Sequence, residues 1–197
     1  VDSDLLTRNT NERAAWAAIR QLLFALGENP DREGLKDTPK RVFKALQELT
    51  AGLHIDPAKH LETTFPLENH RSYDDVILSR DIPFTSLCEH HLMLFSGVAH
   101  VAYVPNANGQ IVGLSKLARV VEDFAKRPQV QERFTTQILQ TIETVLKPLG
   151  TAVIINAQHT CQACRGIKKT GSMLTINAHG ILATPEARAG LLRMIQL

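Results

Sequence analysis

No apolar run in this 197-residue chain approaches the roughly 20 residues that a membrane span requires. Nor does the chain open with a basic stretch followed by an apolar one. Membrane insertion and secretion are therefore not expected, and a cytoplasmic location is. Net charge is small, at +2, so nothing in the overall balance draws the chain to nucleic acid or to a membrane surface. Anion binding must come from local clusters of Lys and Arg. Cysteine is scarce as well: three residues, an odd number, make no disulfide framework and suit a reduced compartment. Repeats and low-complexity segments are missing too. What remains is 44% hydrophobic content, enough for the core of one domain or of one domain with an appendage.

The scarce cysteines are concentrated. S-L-C-E-H-H-L at 86–92 and H-T-C-Q-A-C-R-G at 159–166 hold all three of them, with three of the eight histidines. Cys88 and His91 stand as C-x-x-H, which lets a thiolate and an imidazole from one turn reach the same metal. Cys161 and Cys164 offer C-x-x-C on the second segment. Four protein ligands would close the site and make it structural; three would leave a position open and make it catalytic. Glu89 and His90 lie between the first two candidates, where they are placed for proton transfer, a role a structural metal turn does not need. His159 stands two residues before Cys161, so an extended segment would put both on one face.

Residues 1–10 are polar and aperiodic, and a first helix is expected after Thr10 or Asn11, with Trp16, Ile19, Leu23 and Leu26 on one face and Gly27 ending it. Asp37-Thr38-Pro39 reads as the capped start of a second helix with a buried stripe of Val42, Ala45, Leu46 and Leu49. Arg41 and Lys44 fall outside that stripe. Residues 52–71 show no period, with Pro57 and Pro66 as punctuation. Extended runs follow at 75–80, 82–87 and 98–104, then a turn at Asn108-Gly109. Leu117, Val120, Val121 and Phe124 mark a helix over 115–126. Ser115 is placed to cap it, and with Lys116 and Arg119 it offers either a phosphate site at the helix N-terminus or, as is commoner, an N-cap with exposed basic neighbours that needs no ligand. Pro128 is expected to open a further helix with Ile138, Ile142, Val145 and Leu146 inward. Its first turn carries Gln131 and Glu132; an acid there often serves only as a dipole partner, and equally an amide beside a carboxylate can pair with an edge that presents both donors and an acceptor. An apolar strand over 151–158 delivers His159, Cys161 and Arg165 to one cavity, a turn follows at 169–172, and a helix at 185–195 closes the chain. Helices, then antiparallel strands interrupted by a helical pair, define an α+β fold.

The strings C-E-H-H, G-L-S-K-L-A-R, R-P-Q-V-Q-E-R and H-T-C-x-x-C-R-G, preceded by G-E-N-P-D-R-E-G-L-x-D-T-P-K-R-V, together resemble the GTP cyclohydrolase I family. The resemblance runs from about Ala14 to the last helix. It implies zinc-dependent hydrolysis of the GTP imidazole ring at C8, formate release and rearrangement to 7,8-dihydroneopterin triphosphate. It implies Cys88, His91 and Cys161 as zinc ligands, His159 at the purine N7 proton and His90 at ribose opening. Gln131 and Glu132 match positions at the guanine end, Ser115, Lys116, Arg119 and Arg165 match triphosphate contacts, and Arg41 and Lys44 match residues supplied by a neighbouring subunit. The implied architecture is the tunnelling fold, a four-stranded antiparallel sheet with a helical pair, assembled as a homodecamer of two pentamers. N-terminal helices over 1–58 would then precede a catalytic core at 59–197. Two departures stand out: S-M-L-T-I-N-A-H-G after the Arg165-Gly166 pair, and Cys164 where the family commonly has a non-ligand residue. Three other classes compete. A structural zinc module would need Cys164 as fourth ligand, another tunnelling-fold enzyme would act on a different pterin or purine, and a C-x-x-C redox protein would want its cysteines opening a helix beside a βαβ unit.

Overall fold

Residues 3–66, 75–106 and 110–196 are described by the computed structural model of the chain. They divide into two compact units, Val1–Thr50 and Ala51–Leu197. The expected turn at Asn108-Gly109 lies outside the described residues.

In the first unit, α1 (Ser3–Ala25) and α2 (Thr38–Leu49) pack on each other. Helix α1 starts well before the expected Asn11, because neither Gly nor Pro interrupts the chain ahead of Gly27. Gly27 ends it at φ 87°, with Glu28 N–H donating to Leu23 O and Gly27 N–H to Phe24 O, a Schellman closure. Asp37 is the N-cap residue of α2 but makes no side-chain cap; its carboxylate pairs with Arg41 at 3.2 Å instead. The expected stripe is not buried. Val42 and Ala45 are exposed, Leu46 and Leu49 half-buried, and Pro30 and Pro39 are the buried residues among those described in this unit. Two short helices cover too little surface to make a core.

The second unit is built on a sheet ordered β5-β2-β3-β6-β7, comprising β2 (Ile77–Cys88), β3 (Leu94–Val104), β5 (Pro128–Gln129), β6 (Gly150–His159) and β7 (Ser172–Gly180). The four long strands are antiparallel, and β5 adds a short parallel edge. A separate pair joins β1 (Thr64–Pro66) to β4 (Gln110–Val112). Helices α3 (Leu114–Ala125) and α4 (Gln131–Leu146) cover one face of the main sheet. Period-two alternation divides the strands between two cores: Val101, Tyr103, Val153 and Ile155 join Val120, Phe134 and Ile138 on the helix side, while Ala102, Val104, Ala152 and Ile154 meet Leu182 and Leu191 of the C-terminal segment and α6 (Pro185–Ile195).

Several expectations change here. The two runs at 75–80 and 82–87 are one strand with a bulge between Ser79 and Ile82, where Asp81 takes φ 58°. Pro128 does not open a helix; it sits in the edge strand β5, where a missing N–H is tolerated, and α4 begins at Gln131. Ser115 does not cap α3. Gly113 occupies the N-cap, and Ser115 lies within the first turn. Residues 52–61 are largely two 3-10 turns, Ala51–His54 and Pro57–Leu61, packed on α3, with Leu61 fully buried. They therefore fold with the second unit.

Candidate active site and metal centre

Strand β2 ends at Cys88, and the chain must reverse at once to begin β3. Leu92 N–H donates to Cys88 O at 2.8 Å and Cys88 N–H to Met93 O at 2.8 Å, while Leu92 takes φ 51°. A bulky residue in the left-handed region is costly, and such strain is common where a turn carries function. The turn is further tied to β5 by Glu89 N–H donating to Gln129 O at 3.0 Å. This holds Cys88 and His91 on one side, with Cys88 Sγ to His91 Nδ1 at 3.7 Å.

The second segment arrives at the end of β6. His159 closes the strand, and the chain winds into the short helix α5 (Thr160–Ala163) rather than staying extended, so Cys161 reaches the site from a helical turn and not by strand alternation. Thr160 anchors that turn through its hydroxyl to Leu94 O at 2.6 Å. The ligand atoms of Cys88, His91 and Cys161 then all lie within 4.8 Å of one another. Cys164 lies outside this group and is exposed.

The three donors fit a tetrahedral cation. Bonds of about 2.3 Å to sulfur and about 2.0 Å to nitrogen at the tetrahedral angle separate the two ligand atoms by roughly 3.5 Å, close to the Cys88–His91 distance. Burial, and then the neighbouring Cys88, push the Cys161 thiol above its ordinary range, while the Arg165 charge pulls the other way. His90 turns its Nδ1 toward the same sulfur at 3.9 Å but is not one of the three.

His159 is fixed from two sides. Its ring stacks on Phe95, centroids 4.6 Å apart and planes 4° from parallel, and Phe95 rests edge-on against Phe84 in the core. Its Nε2 meets Gln131 Oε1 at 2.9 Å. The Gln131 amide is fully occupied: Nε2 faces Ile155 O, Met173 O and Thr175 Oγ1 at 2.9 to 3.1 Å, which leaves Oε1 as the acceptor and makes His159 Nε2–H the donor. The departing S-M-L-T-I-N-A-H-G segment is thus strand β7, and it supports the start of α4. Burial lowers the His159 pKa below its usual value, opposed by the charge of Glu132, so the ring is neutral near pH 7.

The structure therefore gathers Cys88, His90, His91, His159, Cys161, Gln131 and, through their charges, Glu132 and Arg165. Ser115, Lys116 and Arg119 share the N-terminal part of α3, with Ser115 and Arg119 exposed. Arg41 and Lys44 are exposed on α2 of the first unit. Sequence reasoning missed Phe95, Gln129 and Arg133. The R-P-Q-V-Q-E-R spacing was the available signal for the last two, but Glu89, the partner that ties them to the metal turn, lies 44 residues before Arg133. Arg133 forms a close ion pair with Glu89 and holds that carboxyl below its usual range.

The sequence model of the GTP cyclohydrolase I family matches residues 15–196. The GTP cyclohydrolase 1 of Mycolicibacterium vanbaalenii is 51% identical over 193 residues, 97% of this chain and 94% of that one. That of Carboxydothermus hydrogenoformans is 54% identical over 171 residues, 86% of each chain. That of Dehalococcoides mccartyi strain CBDB1 is 49% identical over 188 residues, 94% and 97%. With the family match spanning nearly all of the sequence and relatives near half identity along both chains, the chain belongs to the GTP cyclohydrolase I family of enzymes.

Proposed function

We propose that the chain is a zinc-dependent GTP cyclohydrolase I, which opens the imidazole ring of GTP at C8, releases formate and rearranges the ribose to give 7,8-dihydroneopterin triphosphate in pterin and folate synthesis. The observation that carries this reading is the convergence of Cys88, His91 and Cys161 within 4.8 Å, with Cys164 outside the group. Three protein donors leave a tetrahedral cation one position for reaction. Zinc held by Cys88, His91 and Cys161 would supply Lewis acidity and a water activated near neutral pH.

The chain's own residues divide the remaining work. His159 has its Nε2–H committed to Gln131, so Nδ1 is the nitrogen that exchanges a proton with the purine at N7. His90, its side chain 64% exposed beside the metal turn, serves ribose opening. Glu132 reads the guanine edge from solvent, while buried Gln131 supports the site from behind. Ser115, Lys116 and Arg119 on α3, with Arg165 after α5, take the triphosphate, and Arg41 and Lys44 come from a neighbouring subunit. The four long strands backed by α3 and α4 support the tunnelling fold, and a homodecamer of two pentamers would pair strand edges otherwise left open. The proposed enzyme works on GTP in the cytoplasm; among the described residues no helix is long and apolar enough to cross a membrane.

Incubation of the zinc-loaded protein with GTP tests the proposal. Formate should appear together with the fluorescence of oxidised neopterin, and chelation of the metal should stop both. Consumption of GTP without formate, or full activity in metal-free protein, would refute it.

A further inference from the structure

The R-P-Q-V-Q-E-R stretch contains residues that the proposed chemistry leaves without a role, and their contacts converge on the metal turn. Gln129 is 1% exposed and lies opposite Cys88 in the β2–β5 pairing. Its Nε2 donates to Phe124 O and Gln137 Oε1, each at 2.9 Å, so its Oε1 is left to accept from Arg133 Nε at 3.2 Å. Arg133 Nη2 also donates to Pro128 O at 3.0 Å. Two neutral acceptors therefore fix the plane of the guanidinium, and the same Nη2 also pairs with Glu89. Glu89 in turn has its backbone N–H on Gln129 O, and its carboxylate faces His90 Nε2 at 3.9 Å.

We propose that Arg133 is a positioning residue of this enzyme, acting through Glu89 on His90. The inference rests on the cyclohydrolase reading for what His90 does, but the contacts stand without it. An exposed ion pair alone contributes little to stability, because two long side chains must be ordered to form it. Here the Arg133 fork is already ordered by Gln129 and Pro128, so the pairing instead restricts Glu89. Burial does not fix the His90 ring; Cys88 Sγ faces its Nδ1 and the held carboxylate faces its Nε2, and the two together set its orientation. Without Arg133 the carboxylate is free to rotate away, and His90 loses the partner of its Nε2. The contacts of Arg133 run to Gln129, Pro128 and Glu89, none of them a metal ligand.

The test uses the zinc-loaded full chain and four variants: Arg133→Met, Arg133→Lys, Glu89→Gln and the double variant Arg133→Met with Glu89→Gln. Arg133→Met should keep its zinc and its KM for GTP, yet lose about 10- to 100-fold in kcat for neopterin formation, the usual effect of removing an outer partner of a reacting group. Formate release should fall less, so a ring-opened nucleotide accumulates. Arg133→Lys should restore part of the rate. The double variant should be no slower than the slower single one, because Arg133 has nothing left to position once the carboxylate is gone. Multiplying losses, a raised KM with unchanged kcat, or zinc lost from Arg133→Met would each overturn the proposal. Crystal structures of zinc-loaded wild type and Arg133→Met provide a second readout that needs no activity: Glu89 should leave its position and the His90 ring should spread over more than one rotamer. An unchanged His90 overturns the inference. Failure of the wild type to convert GTP would instead count against the proposed reaction.

Discussion

A thiol binds a metal only as the thiolate, so the burial of Cys161 gives metal binding a pH dependence. Its pKa lies above the ordinary value of 9.0, and in the metal-free protein the group is protonated at neutral pH. The incoming cation must displace that proton, and affinity rises with pH by about tenfold per unit for each proton displaced. Zinc competition against a chelator between pH 6 and 8 should show this slope, and a flat profile would rule it out. In the same assay Cys88→Ala, His91→Ala and Cys161→Ala should each lose the metal, while Cys164→Ala keeps it. Cysteine spacing alone made Cys161 and Cys164 equal candidates. What separates them is the winding of α5, where Cys164 N–H donates to Thr160 O and its side chain is left exposed. Arg133 was less legible still. On a helix with polar neighbours it reads as ordinary surface charge, and only the fold brings it to Glu89.

The bulge in β2 is where local geometry and acid stability meet. Asp81 N–H points at the neighbouring strand and donates to His100 Nδ1 at 3.2 Å. His100 is 4% exposed, and burial lowers its pKa below 6.5, although the Asp81 carboxylate favours the charged ring. Below pH 6.5 the unfolded chain takes up this proton before the folded chain does, so the unfolded state binds more protons and stability falls as pH drops through that window. Protonation also removes the acceptor that Asp81 uses. His100→Gln, which keeps an acceptor and does not titrate, should flatten the urea-midpoint profile between pH 7 and 5 at fixed protein concentration. His100→Ala should cost about 1–3 kcal/mol at neutral pH by removing the acceptor of the Asp81 amide. An identical acid profile in wild type and His100→Gln would show that other groups set it. The same bulge explains why the strand was misread. Periodicity identified α3 and α4 correctly, since Leu117, Val120, Val121 and Phe124 do face the core, but Asp81 breaks the alternation in β2 and divides one strand into two apparent runs. Pro128 misled in the opposite direction, because a proline that opens helices also fits an edge strand.

At the scale of the whole molecule, charge and exposed apolar surface lead to the same expectation. GTP brings about four negative charges, and a helix N-terminus supplies only about half a unit of positive charge. Lys116, Arg119 and Arg165 add three formal charges from one chain. Arg41 and Lys44 would complete the match from an adjacent subunit. Both are exposed in a unit whose Leu22, Phe24, Leu26 and Val42 are also exposed, surface that a neighbouring subunit would cover. The double variant Arg41→Ala with Lys44→Ala should therefore raise the KM for GTP at least tenfold while zinc content stays normal. Mixing it with an inactive His159→Ala chain, under conditions where oligomers exchange subunits, should recover activity. In a symmetric ring with random exchange, about a quarter of the sites would combine an intact His159 with an intact neighbouring Arg41 and Lys44. Recovery approaching that fraction at low GTP places the site between subunits. No recovery in oligomers shown to have exchanged would place it within a single chain and leave Arg41 and Lys44 as surface charge.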